Sequence, residues 1–440
     1  MFNKEPPIVI SVGGSLLAPK IGIDTQFLSQ LNTFIRRQVK KGRRFFLVAG
    51  GGRTARQYRD AGKTVIGTLS DEDLDWLGIH ATRLNGHLLR TIFQDIAHPR
   101  IIENYSRRLY NWKEPVVIGA GWKPGWSTDY DAVILAKDYG ANLIINLSNI
   151  DWVYDKDPRL HKDAKIIKKM TWTELEELVG KKWEPGINAP FDPVATQLAK
   201  KLELTVIVTN GANLENVEHI VEGYAFTGTV IMPHRIDASF YDREYYTGKT
   251  GEYRLPYAQS AIGHATHTIR ALYRALLIKL FLNPKNCLDI GCGTGHLVNA
   301  LRRFGIDAHG LEISKEALSL AETDIKPFLK QGDIVNIPYK DEAFDLVLSF
   351  DVLEHVERGN IRKAIDETIR VSRKYILHKI YTRENVWIRI LHAKDYSHVS
   401  VFTKKFWQRL FFEHESVSLL RTSFFRLPSF FESVFLLKKK

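Results

Sequence analysis

The sequence predicts two three-layer α/β/α domains in tandem. Three observations lead there: two separate series of apolar strands alternating with helical patterns, a glycine-rich turn opening each series, and a length of 440 residues, which suits two to three domains of roughly 150 residues. Alternation of strand and helix yields parallel sheets covered on both faces. The first series places strands at Ile8–Val12, Phe45–Ala49, Val116–Gly119, Leu143–Leu147 and Thr205–Val208, with helical patterns between them such as Thr25–Lys41 and Asp131–Tyr139. It closes near Gly228-Thr-Val-Ile231, and Pro233–Asp237 reads as a short linker between a domain over 1–232 and one over 238–440. The second series places strands at Cys287–Ile290, Ala308–Glu312, Leu346–Phe350 and Tyr375–Ile380, and Val417–Leu437 reads as a closing hairpin.

Composition bounds the class. Hydrophobic residues make up 44% and charged residues 25%, which excludes a mainly disordered chain. Cys287 and Cys292 are the two cysteines. That excludes a disulfide scaffold, is weak support for zinc, and fits reduced cytosol. No metal-ligand set is expected. The apolar start at Ile8–Val12 is too short for a signal-peptide core, and the stretch Tyr273–Leu282 is broken by Arg274 and Lys279. No membrane span is expected, and the expected location is cytoplasmic. The net charge is +12, and from Arg358 to Lys440 there are 18 basic and 7 acidic residues. Such a region can face nucleic acid, anionic lipid or a phosphorylated substrate. A basic solvated surface is favoured, because no recognised nucleic-acid module accompanies it.

The first half carries three strand-ending glycine loops: Gly13-Gly-Ser15, Gly50-Gly-Gly52 with Arg53 and Arg56 beyond, and Gly119-Ala-Gly121-Trp-Lys-Pro-Gly125-Trp-Ser-Thr128-Asp129. Glycines let backbone amides converge on an anion without Cβ interference, and a following helix adds its positive end. One Gly-Gly is equally an ordinary turn. Three such loops with guanidinium groups suggest two phosphorylated ligands side by side. No G-x-x-x-x-G-K-[ST] loop occurs, which disfavours a P-loop kinase.

These segments, together with Asp75-Trp-Leu-Gly-Ile-His-Ala-Thr-Arg-Leu-Asn85, Asn149-Ile-Asp-Trp-Val-Tyr-Asp-Lys-Asp-Pro158, Asp192-Pro-Val-Ala195 and Gly228-Thr229, resemble the amino-acid-kinase family and, within it, the archaeal-type uridylate kinases, over about residues 8–231. The resemblance implies an ATP- and Mg2+-dependent phosphotransferase that self-associates through this domain. Gly13, Gly14 and Ser15 would cradle the transferring phosphoryl group, and Gly51, Gly52 and Arg56 the acceptor phosphate. Asp75 would hold the acceptor sugar, and Thr128 and Asp129 would organise the reaction centre. Tyr154 and Asp157 would border the ATP nucleoside, although an aspartate before proline is equally a turn residue. Trp152 stands where the family has glycine, and Trp126 where the archaeal enzymes often carry histidine. The acceptor is therefore UMP or a related small phosphorylated molecule.

In the second half, Asn286-Cys-Leu-Asp-Ile-Gly-Cys-Gly-Thr-Gly295 is a buried strand feeding a G-x-G-x-G turn. Asp289 would repel a dinucleotide pyrophosphate, yet it suits the cationic S-adenosylmethionine. Glu312, one strand later, can accept from both ribose hydroxyls. Asp333 follows Gly332, and Phe344–Val356 leads out through Asp351. Together these resemble class I S-adenosylmethionine-dependent methyltransferases of the type-11 group, over roughly 238–440, with Tyr241–Tyr246 like that group's N-terminal approach. By position, Asp289, Gly291, Gly293 and Gly295 match the methionine loop, Glu312 the ribose ligand, Asp333 the adenine ligand and Asp351 a position lining the cofactor. No N/D-P-P-Y follows, which disfavours methylation of base amino groups. His355 and His398 are candidate bases for O-methylation, His398 being preferred. For each, a hydrogen-bonded structural or surface histidine is the commoner reading. Cys287 and Cys292 read as packing residues.

The combined expectation is a bifunctional transferase acting on nucleotide and small-molecule substrates. The alternatives are a methyltransferase with a degenerate nucleotide-binding half, and an RNA-modifying methyltransferase.

Overall fold

The computed structural model describes residues 6–19, 22–141, 143–180, 182, 189–236, 239–241, 245, 261–384, 397–420 and 433–440. The chain forms two compact units, one reaching Val221 with Phe226–Arg235, the other built from Ile236 onward. Asp237, the expected end of the linker, and most of Tyr241–Tyr246 lie outside the described residues.

The first unit comprises β1 (Ile8–Val12), α1 (Gly14–Leu17), α2 (Thr25–Lys40), β2 (Phe45–Ala49), α3 (Gly52–Ile66), α4 (Asp71–Ile92), β3 (Val116–Gly119), α5 (Thr128–Tyr139) and β4 (Leu143–Ser148). A hairpin of β5 (Val153–Tyr154) and β6 (Ile166–Ile167) follows, then β7 (Lys169–Thr171), α6 (Trp172–Val179), α7 (Pro193–Lys201), β8 (Thr205–Asn210), α8 (Leu214–Glu222) and β9 (Thr229–Met232). The seven-stranded sheet runs β3-β2-β1-β4-β8-β9-β7, parallel throughout except between β8 and β9. Alternate side chains of β1 explain the two helical layers. Ile10 and Val12 pack with Phe27, Leu31 and Phe34 of α2. Val9 packs on the opposite face with Ala132, Val133 and Ala136 of α5. Burying each large side chain contributes about 1.5–3 kcal/mol.

The second unit contains α9 (Ala261–Phe281), β10 (Asn286–Ile290), α10 (His296–Arg303), β11 (Asp307–Glu312), α11 (Lys315–Ser319), β12 (Leu329–Gln331), β13 (Phe344–Phe350), α12 (Ile361–Val371), β14 (Ser372–Ile380), α13 (Lys404–Phe412), β15 (Val417–Leu420) and β16 (Ser433–Lys439). Its sheet order is β12-β11-β10-β13-β14-β16-β15. The first five strands are parallel and β16 runs antiparallel to both its neighbours. Leu288 and Ile290 face a cluster with Ile365 and Trp407, while Cys287 faces Ala275, Ile278 and Leu301. Both cysteines are free and buried. Among the described residues no helix is long and apolar enough to cross a membrane.

In both sheets the order of the parallel strands reverses at the centre, at β1/β4 and at β10/β13. Open α/β sheets bind ligands in the crevice beyond the strand C-termini at such a point. The glycine turns after β1 and β10 therefore fall at the two places where a site is expected.

Candidate functional site

In the first unit the loops after β1 and β2 interlock. A Cβ on Gly14 would stand 2.0 Å from the Gly52 amide nitrogen, and one on Gly52 would stand 2.0 Å from the Gly14 carbonyl oxygen. The Gly50 amide donates to the Val12 carbonyl (3.0 Å), and the Arg53 amide donates to that of Ala18 (2.9 Å). Gly51 is the N-cap of helix α3 and has no side chain to cap it, so the cap residue leaves the helix's positive end open to an anion. Gly13, Gly14, Ser15, Gly51 and Gly52 are thus brought together, each partly exposed, and Arg56 lies exposed on the second turn of α3.

Helix α4 supports these loops along one face. Asn85 donates to the Gly50 carbonyl (2.7 Å), Thr82 Oγ1 accepts from the Gly121 amide (2.8 Å), and buried Asp75 accepts from the Gly125 amide (2.7 Å). Arg83 donates to the carbonyls of Gly121 and Trp122. Arg59, which sequence reasoning missed, donates to the Leu74 carbonyl (2.8 Å) and lies over Gly78, with Asp75 among its charged neighbours. A signal for it was present: Arg56 and Arg59 stand three residues apart on α3, a spacing that puts both guanidinium groups on one helix face.

Asp129 sits where three elements meet. Ser11 Oγ of β1 donates to its Oδ1 (3.3 Å), as does Asn146 Nδ2 of β4 (3.4 Å), and the Asp192 amide donates to Oδ2 (3.3 Å). Burial, then Asp192, pushes its carboxyl up to about 7. Ser127 caps α5 and donates to Asp192, which itself caps α7. Thr128 is the first residue of α5. Trp126 packs edge-on with Trp122 (4.7 Å) and Tyr130 (4.3 Å), and Lys123 Nζ lies 4.7 and 4.6 Å from the Trp122 and Trp126 ring centres. Tyr154 lies on β5, in the separate two-stranded hairpin. Asp157 is engaged by Arg159, which binds it through Nε and Nη2 and holds its carboxyl down at about 2. The Asp157 carboxylate also accepts from the Arg159 amide at 2.9 Å.

In the second unit, Gly291, Gly293 and Gly295 all have positive φ, at 70°, 56° and 83°, the region glycine enters without a Cβ penalty. Among the described residues, no heavy atom lies within 4 Å of where a Cβ on Gly293 would stand. Glu312 ends β11 with both oxygens oriented: Oε2 accepts from the Gly293 amide and Oε1 from that of Ser314, each at 2.9 Å. Asp289 is 4% exposed, and burial pushes its carboxyl up to about 7. Asp333 is exposed and accepts from the Val335 amide (3.1 Å). Asp351 follows β13 at φ 57° and pairs with buried Lys379 of β14 (2.6 Å).

Beyond Asp351 lie Glu354 and His355. Glu354 is fully buried; its Oε1 accepts from the Tyr381 amide (2.9 Å), while Oε2 has no partner among the described residues. Burial and then Asp351 hold this carboxyl above its usual range. The rings of His355 and His398 are 4.7 Å apart, and Tyr381 is 4.8 Å from His398. The structure thus unites the two histidines named from the sequence and adds Glu354 to them.

Two sheets with glycine turns at their switch points, one lined by amides and guanidinium groups and the other by fixed carboxylates, define a two-domain transferase. The family model "Amino acid kinase family" matches residues 6–210, and "Methyltransferase domain" matches residues 288–375. A uridylate kinase of Sulfurisphaera tokodaii is 35% identical over 210 residues, 47% of this chain and 91% of the relative. One of Methanobrevibacter smithii is 32% identical over 222 residues, 49% of this chain and 95% of the relative. The solved uridylate kinase of Archaeoglobus fulgidus is 29% identical, with 51% of this chain and 99% of that chain covered at a TM-score of 0.44. The chain belongs to the amino acid kinase family through its first half, and its second half carries a methyltransferase domain.

Proposed function

We propose a bifunctional enzyme that transfers a phosphoryl group from ATP to UMP or a related small phosphorylated acceptor, and a methyl group from S-adenosylmethionine to an oxygen of a small molecule. The observation that supports the first activity is the interlock of Gly14 with Gly52. It sets the loop for the transferring group against the loop for the acceptor, and phosphoryl transfer needs little beyond such positioning and neutralised charge. ATP would supply the phosphoryl group, and magnesium bound with it would offset the phosphate charge. Gly13, Gly14 and Ser15 hold that group, Gly51, Gly52 and Arg56 hold the acceptor phosphate, and Asp75 takes the acceptor sugar while fixing Gly125. Thr128 and Asp129 order the centre, and Tyr154 and Asp157 border the nucleoside. The Lys123–Trp122–Trp126 cluster favours an acceptor that differs from UMP in the part it presents to this loop.

The second activity rests on Glu312. Two backbone amides fix its oxygens, and a carboxylate whose orientation is set in this way suits the two hydroxyls of a ribose diol. S-adenosylmethionine fits this donor set, since Asp289 offers a buried carboxylate to a cation and the described residues leave space beside Gly293. Its sulfonium supplies the methyl group. Gly291, Gly293 and Gly295 admit the methionine part, Asp333 takes the adenine, and Asp351 lines the pocket. His398, beside His355, meets the acceptor.

We place the domain boundary between Arg235 and Ile236 and the enzyme in the cytoplasm. Exposed Tyr58, Val65 and Ile66 on α3 support self-association of the kinase half. ADP release with a panel of nucleoside monophosphates tests the first activity. Calorimetry with S-adenosylmethionine and with NAD tests the second, and tighter binding of NAD would overturn it.

A further inference from the structure

We infer that Glu354, His355 and His398 form a binding site for a first-row divalent metal ion beside the methyl-transfer centre. One ligand atom from each residue lies within 4.8 Å of the other two. Glu354 and His355 come from the single turn Leu353–His355 directly after the switch-point strand β13, so their placement is set by the sheet. His398 is tied to that turn from the other side: the Ser397 carbonyl faces His355 Nδ1 at 3.1 Å, and the Ser400 amide donates to the Glu354 carbonyl at 2.9 Å.

The second observation is the buried Glu354 Oε2, which has no hydrogen-bond partner among the described residues. A buried polar oxygen left unpaired is costly, because it gives up water without gaining a partner. The neighbouring Asp351 has Lys379 as its cation, and a bound metal would serve Glu354 in the same way. A carbonyl oxygen opposite His355 Nδ1 requires that nitrogen to carry the proton, which makes Nε2 the nitrogen with the lone pair. Such a carbonyl partner is the usual orienting contact of a ligating imidazole.

Two imidazoles and one carboxylate suit manganese, iron(II), cobalt or zinc, and leave coordination positions for other ligands. The acceptor class follows: a molecule whose methyl-accepting oxygen can itself serve as a ligand. His398 then acts as a ligand where the sequence alone suggested a base. The acceptor class rests on the methyl-transfer reading; metal binding does not.

The test is a cobalt titration of the chelator-treated full-length chain, read by visible absorption and by equilibrium dialysis with metal analysis. About one ion per chain is expected, with affinity at least about tenfold weaker in His398→Ala and in Glu354→Gln. The second variant keeps the side-chain shape in case the first does not fold. S-adenosylmethionine binding is measured separately without metal. No cobalt uptake by the native chain, or uptake unchanged in both variants, would overturn the inference. Failure to bind S-adenosylmethionine with cobalt uptake intact would instead remove the methyl-transfer reading.

Discussion

Gly14 and Gly52 occupy each other's side-chain space: a Cβ on either would come within 2.0 Å of the other's backbone. The contact is between two backbones, so no rotamer change can relieve it. Gly14→Ala should destabilise the first unit by about 1–3 kcal/mol, the usual cost of overpacking. Gly52→Ala adds strain because Gly52 sits at φ 62°. Thermal unfolding of the full-length variants checks this, and a melting temperature equal to that of the native chain would refute the interlock.

Arg56→Ala should raise KM for the phosphorylated acceptor about tenfold or more while leaving KM for ATP unchanged. A charge-assisted hydrogen bond is worth about 1.5–3 kcal/mol. Steady-state kinetics with each substrate varied in turn separates the two constants. An equal rise in both would move Arg56 out of the acceptor site.

Glu312→Ala should weaken S-adenosylmethionine binding about tenfold or more. Part of the loss comes through the loop, since the Gly293 and Ser314 amides lose their acceptor. Glu312→Gln keeps one acceptor oxygen and should fall between. Calorimetry reads both, and unchanged affinity in Glu312→Ala would remove the ribose assignment.

Asp289 gives a pH dependence with a defined sign. Its folded-state pKa is raised from 3.8 to about 7, so its contribution to stability is full below the unfolded value and is lost as pH rises through about 7. Binding of a cation runs the other way, because the ionised form attracts it. Affinity for S-adenosylmethionine should climb as pH rises to about 7 and then level off, and Asp289→Asn should flatten this climb. Calorimetry across that range provides the check, and a native profile no steeper than that of Asp289→Asn would contradict it.

The central strands were legible in the sequence because β1, β2, β4, β10 and β13 are apolar runs buried on both faces. The edge strand β12, Leu329-Lys-Gln331, was not: it is short and mostly exposed, with no alternation to detect. In the site, the glycine loops and Asp75 were readable from motifs. Contacts made across long sequence separations were not. Asn85 holds Gly50 from another helix, and Lys379 is a lysine in a strand whose burial beside Asp351 depends on the register of β13 with β14. Glu354 looked like one acid among many until the fold buried it with no partner for Oε2 among the described residues.

The most direct test of the two activities is a single reaction of the full-length chain with magnesium-ATP, S-adenosylmethionine and a protein-free extract of cellular small molecules supplemented with UMP. ADP and S-adenosylhomocysteine should both accumulate, with ADP falling in Arg56→Ala and S-adenosylhomocysteine falling in Glu312→Ala. Accumulation of one product without the other, or of both unaffected by these variants, would contradict a bifunctional enzyme.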